Sequence, residues 1–354
     1  MDGFVLRTWD LAYRPGDQVP PHRHLRGCEG FVVLRGRLEV LVGSARMILG
    51  PGEHVMVPAG VTHTFATVDP GGAHVVAVLS PEVDALISRL HQVTTDEERA
   101  ALWALHHSEL VEQPDAIFAH PRLAPIYDTF DGDRGDLEHY LAIMDELGAT
   151  RVLDVGCGTG TFAVLLARGG RTVIGVDPAA ASLAIAERKG AGLPVTWIHG
   201  NAGAAESCAA DVAVMTGNVA QVFRTDEDWA LNLRRIRAAL RPGGHLVFET
   251  RRPEFRAWEE WAADTELVVR AVPGVGRVGR RLEVIDVHLP YVSFRYTYRF
   301  LADGTVLSSD STLRFRDRAE IETSLTGAGF EVRDVREAPD RPGREFVFIA
   351  RRTD

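Results

Sequence analysis

Between Arg151 and Gly160 the sequence Arg-Val-Leu-Asp-Val-Gly-Cys-Gly-Thr-Gly takes an apolar strand signal straight into three alternate glycines, and a helical pattern begins near Thr161. A strand that turns at once into a helix is the repeating unit of a parallel sheet covered by helices. Gly156, Gly158 and Gly160 permit the tight turn and let a ligand approach the backbone closely. A dinucleotide fingerprint reads G-x-G-x-x-G, whereas position 161 is threonine and the spacing is G-x-G-x-G, preceded by Asp154. Helix and strand signals alternate from the helix opening near Asp136 as far as Leu246-Val-Phe-Glu-Thr250, which predicts an α/β domain.

The rest of the chain follows different patterns. Residues 1–80 hold short Val-rich runs between Gly and Pro turns, such as Phe31 to Leu34, Leu38 to Val42 and Val75 to Leu79, and predict an all-β barrel or sandwich. Ser80-Pro81 starts one helix of about 81–92, and Thr95 with Glu98 forms a capping box for a second over 96–112. These helices read as a connector over 81–125, ending in a proline-interrupted hinge between Gln113 and Pro125. The α/β domain then occupies 126–354, with an antiparallel insertion over 251–316. Within the insertion Leu282–Leu301 reads as one long strand, returning through Ala302-Asp-Gly-Thr to Val306–Phe315. A helix near Asp317–Gly327 and strands at Phe330–Val335 and Glu345–Arg351 close the domain.

A length of 354 residues allows two cores, and no stretch approaches the roughly 20 apolar residues of a membrane helix. Lys+Arg 39 against Asp+Glu 49 gives a net charge of -10, without the basic excess of a phosphate-neutralising protein, so neither nucleic acid nor membrane is an expected partner. The first residues lack an apolar secretion core, and Cys28, Cys157 and Cys208 are odd in number and far apart; both observations lead to the expectation of a cytoplasmic protein.

Gly16, His22, His24, Glu29 and Gly36 stand in the order G-x5-H-x-H-x4-E-x6-G, and Gly52, Pro58, Gly60 and His63 in the order G-x5-P-x-G-x2-H. This pair of motifs resembles the two signatures of the cupin family, with Thr67 where asparagine is usual. Residues two apart on a strand share a face, so His22 and His24 can both aim into a barrel lumen, where adjacent strands bring Glu29 and His63. Three imidazole nitrogens and one carboxylate oxygen suit a divalent metal such as iron, manganese, nickel or zinc, with no basis for choosing among them. Cys28, adjacent to Glu29, faces the other way on a strand, and His54 and His74 lie outside the motifs.

The glycine loop resembles motif I of the class I S-adenosylmethionine-dependent methyltransferases, and the resemblance covers about 125–354. Asp177 ends the next strand, seventeen residues after Gly160, where a carboxylate can accept from both ribose hydroxyls. Gly200-Asn201-Ala202 resembles the family's adenine-contacting turn, with Asn201 in place of aspartate. Thr216-Gly-Asn-Val-Ala-Gln221 stands where the family places the methionine moiety and the acceptor, and Tyr127 resembles the aromatic residue that many such enzymes fold over the cofactor. The resemblance thus implies S-adenosylmethionine as cofactor, held by Tyr127, Asp154, Gly156, Gly158, Gly160, Asp177, Asn201, Ala202 and Thr216.

Members of the resembled family that act on amide nitrogens of DNA bases or glutamine often carry an Asn-Pro-Pro-aromatic tetrapeptide; Thr216-Gly-Asn-Val stands in its place, which with the negative charge implies a small-molecule acceptor. An activated methyl donor needs mainly alignment, and a general base only where the acceptor must lose a proton. His139, Glu249 and Arg251 are the candidates for such a role, with Asp133, Arg134 and Tyr140 near the first strand of the sheet. Trp258, Trp261, Tyr291, Phe294, Tyr296 and Tyr298 belong to the insertion expected to cover the active site, and Phe294, Tyr296 and Tyr298, on one strand face, either wall the acceptor pocket or fill a local core. The sequence expectation is a small-molecule methyltransferase whose cupin domain is a metal-bearing accessory, sensing or dimerisation element. The alternatives are a bifunctional enzyme whose cupin metal oxidises or isomerises the same metabolite, and a non-enzymatic metabolite-binding protein; a homodimer is expected because cupin barrels pair through edge strands.

Overall fold

The computed structural model describes residues 3–12, 19, 21–43, 45–90, 92–93, 96–110 and 114–354; Gly16 of the first histidine motif and Thr95 of the capping box lie outside them. Two compact units divide the chain, Met1–Gln113 and Pro114–Asp354.

The first unit comprises β1 (Val5–Leu11), β2 (His22–His24), β3 (Glu29–Arg35), β4 (Leu38–Val42), β5 (Ala45–Leu49), β6 (His54–Val57), β7 (His63–Thr67), β8 (Ala73–Leu79), α1 (Pro81–Leu90), α2 (Asp96–Leu105) and β9 (Ser108–Leu110). The strands form two antiparallel sheets, ordered β1-β8-β3-β6 and β5-β4-β7-β2-β9. Alternation decides which side chains meet. In β8, Ala73, Val75, Ala77 and Leu79 turn inward, onto Phe31, Val33, Val40 and Phe65. The same alternation buries His22 and His24 while Arg23 between them is less enclosed. This unit differs from the expected connector. The second helix stops at Leu105 rather than continuing to 112, His107 takes a left-handed conformation (φ 48°), and β9 pairs with β2, placing Ser108 opposite His24. β9 covers an edge that β2 would otherwise expose, so the segment after residue 80 completes the barrel and the boundary between units falls at Gln113 instead of 80 and 125.

The second unit contains α3 (Ala116–Ala119), α4 (Tyr127–Asp131), α5 (Leu137–Glu146), β10 (Arg151–Val155), α6 (Thr161–Arg168), β11 (Thr172–Asp177), α7 (Ala180–Lys189), β12 (Val195–His199), β13 (Ala210–Met215), α8 (Asp226–Ala239) and β14 (Leu240–Arg251). It continues through α9 (Ala257–Ala263), β15 (Val268–Val272), β16 (Gly276–His288), β17 (Tyr291–Phe300), β18 (Val306–Arg314), α10 (Arg318–Gly327), β19 (Phe330–Glu337) and β20 (Glu345–Arg352). Its main sheet is ordered β12-β11-β10-β13-β14-β20-β19; the first five strands and the edge strand β19 run in one direction, and β20 between them runs antiparallel to both neighbours. Both faces are covered. Leu153, Val155, Ala213 and Phe248 join Trp229 on one side, while Val152, Val212, Val214 and Val247 join Tyr140 and Phe162 on the other. The strand order reverses between β11 and β13 on the two sides of β10, and that reversal opens the crevice where such sheets bind ligands.

The insertion forms a separate antiparallel sheet, β15-β16-β17-β18. The single strand expected over Leu282–Leu301 is two, broken at Leu289-Pro290, where proline offers no ladder N–H, and β15 was not anticipated. Its aromatic residues fill local cores. Tyr298 packs edge-on to Phe130, Trp258 packs edge-on to Phe315, and Phe294 meets Trp261. Among the described residues no helix is long and apolar enough to cross a membrane.

Asp211, on β13, fastens the N-terminal edge of the sheet: one oxygen accepts the Thr150 and Arg151 amides at 2.9 and 2.8 Å, the other the Arg241 guanidinium at 2.7 Å. Although partial burial opposes it, these bonds hold the carboxyl below its ordinary value of 3.8. Its stabilising contribution is therefore complete above that value and is lost as pH falls below it, through the lowered folded-state value. Asp211→Asn is expected to lower stability at pH 7 by about 1–2 kcal/mol, with the gap from wild type closing below pH 3.8 in denaturant melts.

Candidate metal centre and cofactor site

In the first unit β2 places His22 and His24, β3 starts at Glu29 and β7 starts at His63; these four side chains are buried, and their ligand atoms all lie within 4.8 Å of one another. One carboxylate oxygen, Glu29 Oε2, faces three imidazoles: His63 Nε2 at 2.8 Å, His22 Nε2 at 3.3 Å and His24 Nε2 at 3.5 Å.

The outer hydrogen bonds set the tautomers. His63 Nδ1 lies 3.1 Å from the Val61 carbonyl, which only accepts, so Nδ1 carries the proton and Nε2 presents a lone pair to Glu29. Ser108 Oγ donates to the His106 carbonyl at 3.1 Å and so accepts from His24 Nδ1 at 2.8 Å, leaving His24 Nε2 likewise as a lone pair, without a hydrogen-bond partner. Burial lowers the His24 pKa, consistent with a neutral ring. Acceptors facing acceptors in a buried space fit a cation between them. Cys28 is half-exposed and stands outside the four. Trp103 of α2 lies flat against His24 with centroids 6.3 Å apart and edge-on to His22 at 5.5 Å. Neither Trp103 nor Ser108 was named from the sequence, because the residues that join them to the centre are far away in the chain and lie on elements that read as a connector.

In the second unit the glycine loop joins β10 to α6 at the crevice. Gly156 and Gly160 have φ of 72° and 77°; a methyl group added at Gly156 would meet Val219 at 2.7 Å, and one at Gly160 would meet the Trp197 ring at 2.6 Å. Asp177, at the end of β11, accepts the Gly158 amide at 2.8 Å and the Ala179 amide at 2.7 Å, one on each oxygen. A carboxylate has further lone pairs beyond those two, so ribose hydroxyls can still be received. Burial pushes its carboxyl upward.

Asp154 stands apart. It is buried at the end of β10, neither oxygen has a hydrogen-bond partner, and burial with the nearby Asp177 charge pushes its carboxyl up to about 7. An unpaired carboxylate beside a glycine loop fits a cationic ligand, and S-adenosylmethionine carries both an ammonium and a sulfonium. Tyr127 begins α4 and packs on Phe118 at 5.2 Å; its neighbour Asp128 accepts from Thr159 of the glycine loop at 2.5 Å and from Lys189 at 2.8 Å, which ties α4 to the loop. Asn201 is exposed and caps the turn after β12 by accepting the Gly203 amide at 3.0 Å, Ala202 is buried, and Thr216 is half-buried at the end of β13.

The base candidates part company. His139 faces Arg336, Asp340 and Glu146, and burial with the Arg336 charge lowers its pKa; none of the loop residues is among the groups that act on it. Asp133 is exposed, and Arg134 pairs with Asp131 and Asp136. Glu249, 1% exposed, has both oxygens occupied: one takes the Gly217 and Asn218 amides at 2.6 and 3.1 Å, the other the Tyr140 hydroxyl. Burial and the neighbouring Glu345 charge push its carboxyl upward. Glu249 thereby shapes the loop after β13 rather than offering a free oxygen. Arg251 donates to Gln221 at 3.0 Å and lies over the Trp261 ring at 5.2 Å. The sequence did not single out Asn218 or Glu345, which the pairing of β14 with β20 brings beside this group.

Comparison with known proteins agrees with both geometries. The cupin domain family model matches residues 9–79 and the methyltransferase domain model residues 152–244. Residues 9–79 thus carry a cupin domain and residues 152–244 a methyltransferase domain, the second on the fold of solved S-adenosylmethionine-dependent methyltransferases. It is 36% identical over 115 residues to an uncharacterised methyltransferase of Mycobacterium tuberculosis, a match covering 32% of this chain and 57% of the relative. It is 31% identical over 133 residues to the ubiquinone biosynthesis O-methyltransferase of Proteus mirabilis, covering 36% of this chain and 53% of that one. The chain thus spans less than two thirds of the length of these curated relatives. Among solved structures, the sugar N-methyltransferase KedS8 of Streptoalloteichus superposes with a TM-score of 0.55 at 21% identity, over 70% of this chain and 98% of that one. CalS10 of Micromonospora echinaspora, an amino pentose methyltransferase solved with S-adenosylmethionine bound, gives 0.50 at 24% identity, over 64% and 97%.

The raised Asp154 pKa has a direct consequence. A folded-state acid at about 7 against an ordinary 3.8 destabilises the fold increasingly between those values and by a constant amount above them. Asp154→Asn is expected to stabilise the ligand-free protein at pH 8 by on the order of 2–4 kcal/mol. The gain should vanish near pH 4, as read by thermal melts across pH, while cofactor binding weakens.

Proposed function

We propose that the chain is an S-adenosylmethionine-dependent methyltransferase for a small-molecule acceptor, with a divalent metal in the cupin domain serving an accessory, sensing or dimerisation role. The observation that carries the methyltransferase reading is the buried, unpaired Asp154 beside a glycine loop whose Gly158 amide is fixed by Asp177. When bound, S-adenosylmethionine supplies an already activated methyl group. The chain's part is to hold and align. Asp154 takes the cationic end of the cofactor, Asp177 the ribose hydroxyls and Asn201–Ala202 the adenine, while Tyr127 lies over the sulfonium from α4. The acceptor enters beside Thr216–Gln221, and positioning it in line with the methyl group while excluding water contributes on the order of 7–11 kcal/mol of the barrier.

A small-molecule acceptor is supported by the names of similar proteins, a sugar N-methyltransferase, an amino pentose methyltransferase and a ubiquinone biosynthesis O-methyltransferase. His22, His24, Glu29 and His63 would hold the metal, and the fixed tautomers of His24 and His63 support that assignment. Iron, manganese, nickel and zinc all remain compatible with such a ligand set.

Calorimetric titration of S-adenosylmethionine tests the first site. Asp177→Ala is expected to weaken binding by about 10- to 100-fold, as the loss of charge-assisted hydrogen bonds demands; no binding by wild type would sink the methyltransferase reading. Metal analysis after reconstitution tests the second. One ion per chain is expected, lost in His63→Ala and bound about 10- to 100-fold more weakly in Ser108→Ala, with S-adenosylmethionine affinity unchanged in both. Light scattering at micromolar concentration decides whether the proposed homodimer exists.

A further inference from the structure

Four carboxylates are buried around the crevice of the second unit, and their hydrogen bonds sort them. Asp177 has a backbone amide on each oxygen, Glu249 is filled by two amides and the Tyr140 hydroxyl, and Asp154 is the group assigned above to the cofactor's cationic end. Glu345 is different. It opens β20 directly opposite Arg251 of β14, at the end of the parallel strands where ligands bind, and it is 1% exposed. Its Oε1 accepts the Asn218 amide nitrogen at 3.1 Å and the Arg341 guanidinium at 2.9 Å, yet Oε2 has no partner.

Asn218 matches it. The residue is 3% exposed and holds a left-handed backbone, φ 61°, which is uncommon outside glycine. Its Nδ2 must face the Glu345 carboxylate, since an amide oxygen there would oppose another acceptor, so the amide orientation is fixed and Oδ1 points elsewhere. Oδ1 is likewise buried without a partner. The next residue, Val219, is the one that crowds Gly156 of the cofactor loop. Two buried acceptor oxygens, the free halves of two groups joined by one hydrogen bond, therefore lack protein donors beside the C-terminal ends of β13 and β14.

Among methyl acceptors, donor counting separates an amine from an alcohol. A neutral primary amine presents two N–H groups and keeps one lone pair for the methyl group; a hydroxyl presents one O–H and leaves one of the two oxygens unmet. We infer that the methyl acceptor is a primary amine, held by N–H bonds to Glu345 Oε2 and Asn218 Oδ1, an inference that rests on the methyltransferase reading. The amine lone pair forms the N–C bond as the S–C bond breaks with its electron pair going to sulfur, and the methylated nitrogen then gives one of its protons to the facing Glu345 Oε2, which passes it to solvent on product release. Positive charge thus moves from sulfur to nitrogen, and a carboxylate on the nitrogen favours the transition state over the ground state.

The test uses the full chain saturated with S-adenosylhomocysteine, itself followed by calorimetry, and two matched pairs of probes: glucosamine with glucose, and phenethylamine with 2-phenylethanol. Ligand-observed NMR is expected to give each amine at least about tenfold tighter binding than its alcohol. Glu345→Gln, of equal shape, and Asn218→Gly, which suits the left-handed backbone, should each reduce that preference while S-adenosylhomocysteine affinity stays constant. No amine preference in wild type, or an undiminished preference in both variants, would overturn the assignment. Failure of wild type to bind S-adenosylhomocysteine at all is a different result: it removes the methyltransferase reading, and the amine assignment falls with it.

Discussion

A carboxylate taken out of water must be met by donors or cations, and this chain buries Glu29, Asp154, Asp177, Glu249 and Glu345 almost completely. How each is met determines what its surroundings can do. Glu249 is met entirely from within the fold, and the result is a loop after β13 held in one shape by its own amides. Asp177 is met by two amides and retains lone pairs, so it both fixes the glycine loop and keeps capacity for a ligand. Neither Asp154 oxygen has a hydrogen-bond partner, and burial with the nearby Asp177 charge raises its carboxyl to about 7.

The cupin centre obeys the same requirement with different partners. Glu29 meets three imidazoles, two of which are tautomerically fixed from outside, by the Val61 carbonyl and by Ser108. That outer layer comes partly from β9, a strand added to the barrel edge by residues beyond the two helices. The segment after residue 80 is thus part of the site's machinery: it supplies Ser108 and lays Trp103 against His24. Orientation of a ligand imidazole by a second hydrogen bond raises its basicity and removes rotational freedom, so under the metal reading proposed above Ser108 would act on affinity without touching the ion.

Much of both sites is legible in the chain order. The histidine spacing names the four residues that converge, because strand alternation places i and i+2 on one face and a glycine turn brings the next strand beside them. The glycine triplet with Asp154 and Asp177 names the crevice, since a parallel sheet fixes where strand ends meet helix starts. The catalytic candidates were less legible. His139 and Glu249 carry the right chemistry, but the first faces Arg336 and Glu146 and the second spends its lone pairs on the backbone. Nothing in local sequence distinguishes a carboxylate whose oxygens are filled from one with an oxygen to spare.

Local sequence, through periodicity and turn chemistry, determined the two domains, the inward histidines, the glycine turn and the parallel sheet with its antiparallel close. Tertiary structure alone decided that residues 108–110 return to β2, that Leu282–Leu301 divides at Pro290, and that Asn218 and Glu345 come together across 127 positions of chain. The division follows from range. Side-chain direction along a strand or helix is set within a few residues by backbone geometry, whereas the saturation of a buried polar group depends on donors delivered by distant strands, and only the folded sheet brings those within hydrogen-bonding distance.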